Sequence, residues 1–230
     1  MNFDTIFFDV GNTLFFFNYE FLRDLLSQRF GVSVSAEELS EKHVAMRRSL
    51  IADGLFHLSH EELWWELYRR WLTSVGVEDD AVKAVTLAIR DHPFKHLFWS
   101  KIEDGTREML DWFRERGFKI GIISNAEGQI KRLIEHVNLE ERFDVIVDSA
   151  VVGFSKPDSR IFEHAMVSVG ANPANSIHVG DLVDIDVVGA RAVGITPILV
   201  DPNGLNGEAD CIKVPRVIDL PKLNIFAHVR

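Results

Sequence analysis

Six short apolar runs set the terms on which this chain can fold. They lie at 5–8, 119–123, 144–147, 176–179 and 196–200, with a weaker one at 211–214. All are of strand length, so each reads as a strand with both faces covered. Helix-length segments separate the later runs, at 106–116, 157–169 and 183–193, and a glycine follows each: Gly117, Gly170 and Gly194. Glycine just past the last turn accepts the left-handed conformation that ends a helix. Strands alternating with helices predict an α/β fold with a doubly wound, parallel, Rossmann-like sheet. Its ligand site should lie at the carboxyl ends of the strands.

Residues 15–97 break that rhythm. Apolar residues recur at helical spacing through 19–30, and Ser35 with Glu38 and Ser59 with Glu62 are both S-x-x-E helix starts. No convincing strand falls in this stretch. It reads as a small helical-bundle cap domain at 15–97, inserted into a core made of 1–14 and 98–230, where it could act as a lid over the strand ends.

Composition narrows the partners. A formal charge of −10 and the lack of a Lys/Arg run argue against nucleic acid. The single cysteine, Cys211, excludes an intramolecular disulfide and a multi-Cys zinc site. No stretch approaches the roughly 20 apolar residues needed to span a bilayer, so no membrane partner is expected and the cytoplasm is the expected compartment.

Four signals sit at expected strand ends. Asp9 closes the first run, before a Gly11-Asn12 turn, where it could attack or bind a metal while backbone N–H groups converge on an anion. The bland alternative is an ordinary turn leaving a strand. Ser124-Asn125 closes the second run, ahead of a helix expected at 127–137, and could hold a phosphate oxygen, although most such serines are helix caps. Lys156 precedes Pro157, which suits a first helical position, and could neutralise an anion or simply be solvated. In His178-Val179-Gly180-Asp181-Leu182-Val183-Asp184-Ile185-Asp186, three carboxylates within six residues would repel one another unless a cation binds, although the helix dipole offsets part of this and an acidic helix start with a capping role is the alternative. A hard divalent cation such as Mg²⁺ prefers oxygen ligands of this kind.

The order of these signals carries more than any one of them. Asp9, Ser124, Lys156 and G-D-x-x-x-x-D at 180–186, with S-K-P-D-x-x-I-F at 155–162, make the chain resemble the haloacid dehalogenase-like superfamily. The resemblance covers nearly the whole chain. It implies a hydrolase in which Asp9 is the nucleophile and forms an aspartyl-phosphate, with Lys156 balancing charge. It implies that Thr13, Ser124 and Asn125 hold the phosphate of a small metabolite. Mg²⁺ would be bound by Asp9, the carbonyl of Gly11 and Asp181, with Asp186 orienting them without touching the ion.

One position departs from the pattern. Phosphatases of this superfamily usually read D-x-D-x-T, the second Asp protonating the leaving oxygen; here that position is Gly11. Some members that look like sugar-phosphate phosphatases carry D-x-G-N, which keeps a phosphatase the leading expectation. A metal-independent 2-haloacid dehalogenase and a weakly catalytic phosphometabolite- or partner-binding protein stay open. In the insertion, His43, Arg47, Arg48, His57, His60 and Trp64-Trp65 are of types that contact substrates, but at helical spacing they are more often core residues.

Overall fold

The computed structural model describes residues 3–55, 58–207 and 209–227. The chain forms two compact units, one of Met1–Phe16 with Trp99–Arg230 and one of Phe17–Phe98. The first strand, β1 (Thr5–Phe8), comes before the second unit, whose described residues form α1 (Tyr19–Phe30), α2 (Ala36–Ala52), α3 (His60–Ser74) and α4 (Asp79–Arg90). Their starts follow the sequence. Asn18 accepts a hydrogen bond from the Phe21 N–H, Ser35 from that of Glu38, and Ser59 and Glu62 form the full reciprocal box.

Successive helices pack on one another around Leu22, Leu26, Leu39, Trp71 and Val85, all fully buried. His43 belongs to this core. Its ring stacks on Trp71 at 4.6 Å, and its Nδ1 lies 2.8 Å from the Tyr19 hydroxyl. Burial, with Arg47 adding to it, pushes the imidazole down to about 3, so it is neutral and Nδ1 accepts from the phenol. Trp64 stacks on Tyr68, Trp65 is exposed, and His57 lies outside the described residues.

In the first unit the chain continues with α5 (Thr106–Glu115), β2 (Lys119–Ser124), α6 (Ile130–His136), β3 (Val145–Asp148), α7 (Ser149–Val152) and α8 (Ser159–Val169). It ends with β4 (Ser176–Gly180), a π-helical turn (Val183–Val187) running into α9 (Val188–Ala192), β5 (Thr196–Val200) and β6 (Ile212–Val214). The sheet order is β3-β2-β1-β4-β5-β6, and every pairing is parallel. β1 shows why both faces must be covered. Ile6 and Phe8 pack with Met109, Phe113 and Leu133 of α5 and α6, while Phe7 packs with Ile161, Phe162 and Ala165 of α8. Alternate side chains of one strand thus enter two cores. Each such Phe or Ile stabilises the fold by about 1.5–3 kcal/mol.

Gly117, Gly170 and Gly194 all take the left-handed conformation at their helix ends. Three helix starts differ from expectation. The helix expected at 127–137 begins at Ile130, because Gly128 is left-handed (φ 77°) and the Asp148 carboxylate takes the N–H groups of Gly128 and Ile130. α8 begins at Ser159 rather than Pro157, since Asp158 caps it by accepting from the Arg160 N–H. The segment expected as one helix at 183–193 opens with the π-helical turn, which hydrogen bonds to Asp186 pull out of regular α geometry. No helix among the described residues is long and apolar enough to cross a membrane.

Candidate active site

In this sheet the strand order reverses between β1 and β4, the place where ligand crevices open beyond the carboxyl ends. Asp9 follows β1 there, its N–H donating to the Val179 carbonyl at 2.8 Å. The loop then winds around one acceptor, the Val10 carbonyl, which receives the N–H groups of Thr13, Leu14 and Phe15. The left-handed residue in this turn is Asn12 (φ 55°), a residue type that tolerates the region. Gly11 does not use that freedom. What its missing side chain admits is Trp99, whose six-membered ring would lie 3.3 Å from a Cβ at position 11. Thr13 is fully buried, and its hydroxyl oxygen finds no partner among the described residues.

Ser124 ends β2, buried and opposite Asp148 of β3. Asn125 spends one donor and one acceptor on the Lys156 backbone, donating from Nδ2 to its carbonyl at 2.9 Å and accepting its N–H at 2.7 Å. It therefore clips the Lys156 loop to the end of β2. The N-terminus of α6, which could have faced an anion, has the Ile130 N–H engaged by Asp148. Lys156 itself points inward, with its side chain 1% exposed. Its ammonium donates to Asp9 Oδ1 at 2.6 Å and to Asp186 Oδ1 at 2.7 Å.

Beyond β4, Gly180 lets the chain fold back on itself. A Cβ there would lie 2.2 Å from Asp186 Cγ, so only glycine permits this approach. Asp186 is saturated with hydrogen bonds: Oδ2 accepts the N–H groups of Asp181 and Leu182, and Oδ1 accepts from Lys156 and His178. Asp181, also buried, has its backbone carbonyl held by Asn206 Nδ2. His178 was not expected in the site from its strand position. The signal that could have found it is a polar residue at the centre of a buried strand, which must have a partner.

Asp9, Asp181 and Asp186 each offer an oxygen, and these lie within 4.8 Å of one another. Lys156 is the one ammonium that touches this cluster in the described hydrogen bonds. Burial, opposed by Lys156 and reinforced by Asp186, pushes the Asp9 carboxyl up to about 6. Burial works against the charge of Asp186 too, but Lys156 and His178 outweigh it and hold that carboxyl well below its usual range. The same two carboxylates overcome burial at Lys156 and raise it above the ordinary lysine range. Two or three carboxylates against one ammonium leave buried negative charge unbalanced. A hard divalent cation on the oxygens not already consumed would relieve it, so the donor set fits Mg²⁺.

The sequence model of haloacid dehalogenase-like hydrolases matches residues 3–194. The chain belongs to that family. Among its relatives is the haloacid dehalogenase-like hydrolase domain-containing protein 3 of Bos taurus, 32% identical over 74% of this chain and 70% of that protein. A glyceraldehyde 3-phosphate phosphatase of Methanothermobacter thermautotrophicus is 32% identical over 53% of this chain and about half of its own length, 54%. The fold of this haloacid dehalogenase-like hydrolase is also that of the magnesium-bound hydrolase YfnB of Bacillus subtilis. The TM-score is 0.72 over 98% of this chain and 99% of the other, at 16% identity.

Proposed function

We propose that this hydrolase is a Mg²⁺-dependent phosphatase of small phosphorylated metabolites, working through an aspartyl-phosphate on Asp9. The observation that carries the reading is the buried Lys156 ammonium bonded at once to Asp9 and Asp186, beside the Asp181 carboxylate. An anionic nucleophile can approach an anionic ester only where positive charge offsets the repulsion. Mg²⁺, held by Asp9, Asp181 and the Gly11 carbonyl, would supply further positive charge to the phosphate oxygens. Asp186, all of whose acceptor positions are occupied, orients Lys156 and the Asp181 backbone. The unpartnered Thr13 hydroxyl, Ser124 and the second amide hydrogen of Asn125 bind phosphate oxygens.

In the first half-reaction an Asp9 oxygen bonds to phosphorus as the ester oxygen departs with the bonding electrons. Gly11 offers that oxygen no proton, so it leaves as the anion and takes one from solvent. In the second, water attacks phosphorus and gives a proton to solvent, the bond to Asp9 breaks, and phosphate leaves with the carboxylate restored. The archaeal relative's name supports a phosphorylated sugar or similar metabolite as substrate.

The test is hydrolysis of an aryl phosphate and of a panel of phosphorylated metabolites, with Mg²⁺ and with a chelator, for wild type and Asp9→Asn. Turnover should require Mg²⁺ and vanish in the variant. Metal-independent halide release from a 2-haloacid, without phosphatase activity, would establish the dehalogenase reading instead. Binding of phosphorylated metabolites without turnover would mark a binding protein.

A further inference from the structure

His178 has no part in the reaction described above, yet it is fully buried in β4 at the back of the site. Its Nε2 lies 2.9 Å from Asp186 Oδ1, while Nδ1 is buried with no partner among the described residues. Asp186 can only accept, so the ring proton sits on Nε2 and donates. The other tautomer would turn a lone pair toward the carboxylate, and an imidazolium would bury an unpaired Nδ1–H. Phe162 meets the ring edge to face at 5.1 Å, packing against its plane.

The oxygen that His178 holds is the same one that holds Lys156, and Lys156 reaches on to Asp9. We infer that His178 is a positioning residue of this site: by fixing Asp186 Oδ1 it keeps the Lys156 ammonium against the Asp9 carboxylate. The inference rests on the reading of Asp9 as nucleophile. A lysine stem is flexible and its ammonium is a point charge, so its place is set by its acceptors. Two backbone N–H groups anchor Oδ2 of Asp186. Without His178 the carboxylate can pivot about that anchor and carry the ammonium with it, and displacements of about 1 Å cost catalysis heavily.

The test compares His178→Phe, which keeps a ring against Phe162 but removes the donor, with His178→Gln, whose amide nitrogen can restore it. In His178→Phe, kcat should fall by about 10–100-fold, with KM within about twofold of wild type. His178→Gln should recover most of that loss. Nitrogen NMR of the metal-free wild type near pH 7.5 should show the Nε2–H tautomer. A folded His178→Phe with wild-type kcat overturns the inference, as does an Nδ1–H or imidazolium form. The NMR result decides alone if His178→Phe does not fold. Asp9→Asn, assayed alongside, separates the two ideas. A variant active near wild type removes the nucleophile reading, whereas an inactive Asp9→Asn beside a fully active His178→Phe removes only the positioning role.

Discussion

Gly11 stands two residues after Asp9 with the ring of Trp99 packed over its open face. A leaving oxygen there meets no acid, so wild-type rates should depend steeply on leaving-group pKa, with aryl phosphates, acyl phosphates and sugar 1-phosphates hydrolysed faster than glycerol phosphate. The backbone at 11 is not left-handed, and the nearest obstacle to a side chain there is the Trp99 ring. Gly11→Asp combined with Trp99→Leu should raise rates selectively for poor leaving groups, toward the roughly 10²–10⁴-fold that a positioned acid contributes. A rate series over graded esters measures this, and a flat wild-type series would mean that another group supplies the proton. Asp9 makes a separate claim about stability. Its pKa is raised to about 6, so the stability it contributes is present at low pH and is lost as pH rises from about 4 through 6. In chelator, Asp9→Asn should therefore be more stable than wild type at pH 7.5, by up to roughly 3 kcal/mol, and not at pH 4. Denaturant titrations at the two pH values would show it; a pH-independent difference would refute it. That Asp9, Lys156 and Asp181 converge was legible, since each closes an apolar run or borders a helix start. Trp99 and the clip made by Asn125 were not, because their partners Gly11 and Lys156 lie 88 and 31 residues away in the chain, and His178 was not, because it meets Asp186 only after the chain has turned back beyond β4.

Among the elements, the parallel strands were the easiest to read, because strands covered on both faces need uninterrupted apolar runs such as Ile6-Phe7-Phe8. Helix starts were harder. Asp148 reaches from β3 to bond backbone N–H groups at the opening of α6, and no local pattern announces it; Asp186, inside the π-helical turn, bonds back to the N–H groups of Asp181 and Leu182. The turn after β4 can be probed through Gly180. Gly180→Ala would push a methyl group onto Asp186, so it should destabilise the fold by about 1–3 kcal/mol or more and weaken Mg²⁺ binding. Calorimetric titration and chemical denaturation measure both, and a stable variant with unchanged metal affinity would contradict the packing argument. In the helical unit, His43 is kept neutral down to about 3, below its unfolded value near 6.5. A base with a depressed pKa stabilises fully above 6.5, and that stability is lost as pH falls toward 3. The loss should reach roughly 5 kcal/mol. His43→Phe should flatten the acid limb of the unfolding curve between pH 6.5 and about 4. If the limb is unchanged, other groups govern acid unfolding.

For the whole molecule, the proposed Mg²⁺ site would link metal binding to stability. Saturating Mg²⁺ should raise the melting temperature of wild type, by the equivalent of about 2.7 kcal/mol at 100 times Kd. Asp181→Ala should melt normally without metal and gain little from it. Asp186→Ala should melt lower even without metal, because it strands His178 and two backbone N–H groups and leaves Lys156 with Asp9 alone of its two carboxylates. Equal metal responses in the two variants would contradict the division of labour between them. The paired backbones of Phe16 and Lys101, each N–H donating to the other's carbonyl, have a different consequence. The chain leaves the sheet unit and returns to it at one point, so the sheet unit meets residues 17–98 as a loop whose ends are already joined. Closing such a loop costs only about 0.6 kcal/mol more for each doubling of its length. A lineage could therefore lengthen, shorten or exchange this insertion at the joined ends while the strand-end chemistry of the sheet unit stays untouched.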